Sequence, residues 1–170
     1  QVPEDIRLTT FSTLFARYKG DFAAQLAGAA AIDTLKDGDR VLIAEGCSHH
    51  VTCDDIGRVK IPNWMKKYTG RELKFEWTQG ADFPDNLEDY ALVVHCGGCM
   101  LNRAEVRRRI NECARQGVKV TNYGIVISKM QGVLERVVKG IADAGATGSV
   151  SATGSISDTG SISDTGEEGD

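Results

Sequence analysis

Short apolar runs alternate with helical periodicity through the first 145 residues, and that alternation predicts a layered α/β domain. Residues 40–44 (RVLIA) follow the turn signal Asp37-Gly38-Asp39, and residues 73–77 (LKFEW), 91–94 (ALVV) and 118–121 (VKVT) complete four predicted strands. Between the last two, Asn102 is placed to cap a helix, Glu105 completes a capping box, and Gly117 ends it. Val106, Ile110 and Ala114 supply its expected buried stripe, and Cys113 falls on the same apolar side as a core residue. A further helix is expected from Ile125 to about Val138, and Pro62 suits the first turn of a short one running to about Tyr68. Residues 9–18 and 21–35 read as two more helices, capped by Thr9 or Thr10 and by Asp21; the second is rich in alanine and suited to close packing. Residues before about 20 are expected to be poorly supported here.

Strands alternating with helices imply right-handed crossovers, hence a mainly parallel, doubly wound (Rossmann-like) α/β sheet of about four strands with flanking helices. A different text follows. Residues 149–154, 155–160 and 161–166 are near-copies of one hexamer with a single aliphatic residue each, too little to offset ordering entropy, so a disordered C-terminal tail is expected over 146–170.

Composition narrows the function. With 41% hydrophobic and 26% charged residues the chain suits a soluble globular domain, and no apolar run approaches membrane length. Five of its 24 acidic residues lie past Gly145, leaving 19 acids against 20 basic residues, a balance that makes nucleic acid a poor partner. The chain opens Gln1-Val2-Pro3 without a leader and reads as part of a longer protein. Five cysteines in irregular spacing argue against a disulfide framework and for reduced thiols in a cytoplasmic protein.

The chemistry concentrates where cysteine meets histidine. All three histidines lie within three residues of a cysteine, in Cys47-Ser48-His49-His50 and His95-Cys96-Gly97-Gly98-Cys99. Both segments follow predicted strands, so both loops open on the carboxyl edge of the sheet, where open α/β folds bind ligands. The Cys-x-x-Cys pair has the spacing to chelate one metal or one cluster, and its two glycines permit the tight turn. Cys47 adds a third thiolate. Three cysteines hold a 4Fe-4S cube by three corners and leave one iron to an exchangeable ligand, for which Asp54, His49, His95, Asp55 and Cys53 are candidates; a carboxylate is the more labile type. A closed zinc site of three cysteines and one histidine uses the same residues, and a thioredoxin-like pair shares the spacing. A Lewis-acid hydro-lyase built on the open iron is a third class. Asn122 and Tyr123 end the fourth strand, as hydrogen-bond donors to such a site or as an ordinary turn and helix cap. No phosphate-binding glycine loop is present in the sequence.

The Cys-x-His and His-Cys-x-x-Cys pattern at Cys47, His49, His95, Cys96 and Cys99 resembles the cluster-binding domain of the FeFe-hydrogenase maturation GTPase family, HydF. The flanks agree: residues 43–47 (IAEGC), 54–57 (DDIG), 60–62 (KIP), 94–102 (VHCGGCMLN) and 121–124 (TNYG). The resemblance implies that residues 1–20 are the end of an upstream dimerisation module, that 21–145 form the iron-sulfur cluster-binding domain, and that GTP hydrolysis is not expected of this chain. It implies a 4Fe-4S cluster on Cys47, Cys96 and Cys99, with His49 and His95 nearby and Asp54 as the preferred fourth ligand. It further implies a non-enzymatic scaffold. The transient cargo would be the diiron subcluster precursor, the partners radical-SAM maturases and apo FeFe-hydrogenase, and the full-length protein a homodimer.

Overall fold

The computed structural model describes residues 3, 6, 8–47 and 55–146, the last five by backbone alone. His49, Cys53, Asp54 and the hexamer tail lie outside the described residues.

Four parallel strands form one sheet: β1 (Arg40–Ala44), β2 (Lys74–Thr78), β3 (Leu92–His95) and β4 (Lys119–Asn122), in the order β2-β1-β3-β4. The helices are α1 (Phe11–Tyr18), α2 (Phe22–Ala30), α3 (Ile61–Thr69), α4 (Arg103–Arg115), α5 (Tyr123–Met130) and α6 (Leu134–Ala146). The doubly wound α/β architecture is as the sequence implies, and its two central strands, β1 and β3, read as apolar runs because both faces of the sheet are covered there. On one face Val41, Ile43, Leu92 and Val94 pack with Ile61, Met65 and Val126; on the other Leu42, Ala44 and Val93 pack with Val106, Ile110 and Cys113.

Three boundaries differ from expectation by one residue, since β2, β3 and β4 each begin and end one position later than the apolar run, where hydrogen-bonded pairing decides. The helix expected from Ile125 to Val138 is two helices. Gly132, in the left-handed region at φ 72°, turns the chain between α5 and α6, and apolar periodicity on both sides hides the break. The alanine-rich helix ends at Ala30 and continues as a 3₁₀ turn, Ala31–Thr34. Ala114 is exposed rather than buried, because the inward stripe of α4 runs Val106, Arg109, Ile110, Cys113. Finally, α1 is well supported: its Thr13 and Ala16 are buried, Ala16 against Ala29 and Ile125.

Candidate functional site

The order β2-β1-β3-β4 reverses direction between β1 and β3, and such a switch point opens a crevice beyond the carboxyl ends of the two strands. Ala44 pairs with His95 there, and the Cys96 amide donates to the Ala44 carbonyl at 2.8 Å. Cys47 stands three residues beyond the end of β1 and Cys96 one residue beyond β3, so backbone pairing of two adjacent strands brings the two loops together.

Cys96 sits at the centre. Its Sγ accepts hydrogen bonds from the Gly46 amide at 3.0 Å and the Gly98 amide at 3.3 Å. Gly98 adopts φ 65°, which glycine tolerates, and the Leu101 amide closes the turn onto the Gly98 carbonyl at 3.1 Å. Burial pushes the Cys96 thiol up, the Gly46 and Gly98 amides pull it back, and the nearness of Cys47 and then Cys99 pushes it up further. Both other thiols of the pattern are thus near enough for Cys96 to feel them. Cys47 is half-buried and Cys99 exposed, on the rim. Among the described residues, no group of three or more His, Cys, Asp and Glu side chains is arranged to hold a metal ion.

His95 turns away from this mouth, toward α4. Its Nδ1 lies 2.8 Å from the Cys96 carbonyl, which only accepts, so Nδ1 carries the proton; Nε2, 3.5 Å from Arg109 Nη1, is left to accept. Burial first of all, and the Arg109 charge, bring the His95 pKa down to about 4, against the raising effect of its bond to Cys96. The imidazole is therefore neutral at pH 7, with both nitrogens engaged. Arg109, 1% exposed, donates through Nε to Glu105 at 2.7 Å and through Nη2 to the Gly80 carbonyl at 2.6 Å, while its guanidinium stacks on Phe83. A depression of about 470 Å³ opens beside Cys47, lined in part by Gly46, Met100, Leu101, Arg108 and Arg109.

A second polar group lies on the opposite side of the sheet. Glu45, 1% exposed, receives hydrogen bonds from Tyr123 Oη at 3.3 Å and Gln79 Nε2 at 3.3 Å, and pairs with Arg58 at 3.5 Å. The Tyr123 phenol is held far above its ordinary value by burial, then by the Glu45 charge, then by Cys96, which places it at the back of the sulfur site. Gly57 makes this packing tight: a Cβ there would stand 2.0 Å from Tyr123 Oη. Asp55 caps the π-helical turn Ile56–Lys60 by accepting from the Arg58 amide at 2.8 Å. Asn122 serves as the cap of α5, accepting from Ile125 N at 3.0 Å, and its amide donates to the Ser12 carbonyl at 2.8 Å. Cys113 is fully buried in α4, its thiol pushed up to about 12 chiefly by burial.

Glu45 and Arg109 escape sequence reasoning. The one available signal is a charged residue on an apolar stripe, Arg109 falling between Val106 and Cys113; Glu45, directly after β1, carries none.

The fold and the crevice define a doubly wound α/β domain with a thiol-rich loop cluster at its switch point. Residues 23–140 match the family model described as the hydrogen maturase F tetramerization domain, and the chain belongs to that family. The comparison with curated proteins finds no match. The sequence resemblance to the hydrogenase maturation family is thereby borne out.

Proposed function

We propose that this domain is an iron-sulfur scaffold for hydrogenase maturation, carrying a 4Fe-4S cluster on Cys47, Cys96 and Cys99. The observation that carries the reading is the Cys96 sulfur in a cradle of two backbone amides, with Cys47 and Cys99 near enough to perturb it. Amides aimed at sulfur suit a thiolate bound to iron, because they stabilise the negative charge that metal-bound sulfur retains. The donor chemistry suits the group: three soft thiols lie on two loops rooted in adjacent strands, and two of them are accessible to an incoming cluster. When bound, the cluster supplies an iron corner not held by cysteine, at which a diiron precursor docks. Cys96 would hold the group from the back and Cys47 and Cys99 from the rim, and the depression beside Cys47 would offer room for cargo. Asp54 and His49 belong to the segment that follows Cys47 and are the proposed source of an exchangeable fourth ligand.

His95 acts in this reading as a neutral brace on the Cys96 carbonyl, a positioning role. The family's description supports self-association of the domain, as a tetramer, beyond the homodimer expected of the full-length protein. Radical-SAM maturases and apo FeFe-hydrogenase are the proposed donor and acceptor, and the domain itself performs no catalysis. Residues 21–145 would be the cluster unit and 1–20 the end of the preceding module.

Anaerobic reconstitution tests the proposal. About four irons and a reduced-state spin signal are expected. Cys47→Ala, Cys96→Ala or Cys99→Ala should each abolish cluster retention while Cys113→Ala keeps it. Equal iron loss from all four variants would defeat the ligand assignment, and tight stoichiometric zinc without iron would establish the closed zinc site instead.

A further inference from the structure

The Cys96–Cys99 turn is held from a direction the family match does not cover. Lys19, just past the end of α1, points its ammonium into the turn: Nζ donates to the carbonyls of Gly98 at 3.1 Å, Cys99 at 3.1 Å and Leu101 at 2.7 Å. Three donors meet three acceptors, so the ammonium is saturated by the turn alone. Its other side lies over the Phe15 ring, 4.5 Å from the centroid. Two more contacts bind the same helix to the same edge. Asn122 Nδ2 donates to the Ser12 carbonyl, and Gly97 runs so close to Ser12 that a Cβ there would stand 3.1 Å from its Oγ.

Carbonyls that converge repel one another unless a cation or donors gather them. The Gly98 carbonyl also receives the Leu101 amide, so the bond that closes the turn and the bond from Lys19 share one oxygen. Removing the ammonium leaves three carbonyl dipoles crowded, and the turn that aims the Cys96 cradle loses its external tie. Lys19 and α1 both precede residue 23, where the matched domain begins.

We propose that Lys19 is a positioning residue of the sulfur site, clamping the Cys96–Cys99 turn, and that α1 is the element through which anything moving the N-terminal segment bears on the thiols. The clamp itself stands on the hydrogen bonds; only its effect on a cluster rests on the reading above.

The experiment compares the full chain with Lys19→Met, which keeps the stem and removes the donors, and Lys19→Arg, which keeps charge and donors. Amide hydrogen exchange is followed by mass spectrometry in metal-free protein. Peptides covering 96–101 should exchange at least about fivefold faster in Lys19→Met. Exchange should return most of the way to wild type in Lys19→Arg, and β1 should be unchanged in both. Unchanged exchange over 96–101 in Lys19→Met overturns the clamp, as does a rise spread evenly over the sheet. After anaerobic reconstitution, the line shape of the reduced-cluster spin signal should shift in Lys19→Met at full iron content and not in Lys19→Arg; identical spectra in all three overturn the positioning role. If wild type never retains iron, the cluster reading fails while the exchange result still decides the clamp.

Discussion

Gly28 lies in the last turn of α2, ahead of the 3₁₀ turn that continues it, where replacing glycine by alanine ordinarily stabilises a helix by up to about 1 kcal/mol. Here the sign should reverse. A Cβ at Gly28 would stand 1.9 Å from the Val120 carbonyl oxygen and 2.5 Å from its carbon, both backbone atoms of β4 that no rotamer change can move. Relief requires α2 to withdraw from the sheet by about 1 Å, and a gap of that size forfeits roughly a quarter to a half of the dispersion attraction along the contact. A contact as short as 1.9 Å to an immovable backbone atom puts the cost at the upper end of what overpacking exacts, about 2–3 kcal/mol, and subtracting the propensity gain leaves Gly28→Ala destabilised by about 1–2 kcal/mol. For a domain of this size the melting temperature should fall by about 2–8 °C. The assay is thermal and urea denaturation of Gly28→Ala beside Ala27→Gly, the opposite substitution at an exposed interior position of the same helix, which should cost about 1 kcal/mol from propensity alone. A melting temperature for Gly28→Ala equal to or above wild type would refute the close approach of α2 to β4.

Metal-free protein should lose stability on acidification through His95. Its folded pKa of about 4 lies below the ordinary 6.5, so the unfolded chain takes up the proton first. The contribution is complete above pH 6.5, is lost as the pH falls toward 4, and amounts to about 3 kcal/mol. Urea titrations at pH 7 and 4.5 should show a loss smaller by most of that amount in His95→Gln, and parallel losses in the two proteins would contradict the buried neutral ring. Gly57→Ala should cost about 2 kcal/mol by driving the Tyr123 phenol off Glu45, and a double variant with Tyr123→Phe should recover part of it; a double variant no more stable than the single one would rule out that clash. Cys113, buried and with its thiol raised to about 12, should resist iodoacetamide in native protein at pH 8 and react fully in denaturant, as read by peptide mass spectrometry. Native alkylation of Cys113 as fast as that of Cys99 would place it outside the core.

The layered fold was legible because both sheet faces are apolar: RVLIA and ALVV announce strands whatever the register, and Asn102 with Glu105 marks the start of α4 through local capping alone. Elements set by non-local contact were not. The break at Gly132 hides between two apolar patterns, and the π-helical turn at Ile56–Lys60 has no periodicity of its own. The grouping of Cys47, Cys96 and Cys99 followed from strand ends on one edge, a topological inference. His95 stood next to a cysteine in the text, yet strand alternation turns its ring to the opposite side, onto Arg109. Glu45 carried no signal and Arg109 only its place on an apolar stripe, because the partners that complete their burial come from elsewhere in the chain, Gly80 and His95 for Arg109, Tyr123 and Gln79 for Glu45.

The pairing of Ala44 with His95 has a mechanical result. Adjacent strands in a hydrogen-bonded ladder cannot change their separation without breaking it, so the gap between the loop roots works as a caliper of set width. Any rearrangement at this edge must therefore be carried out by the loops alone, with the sheet beneath them a stiff anvil.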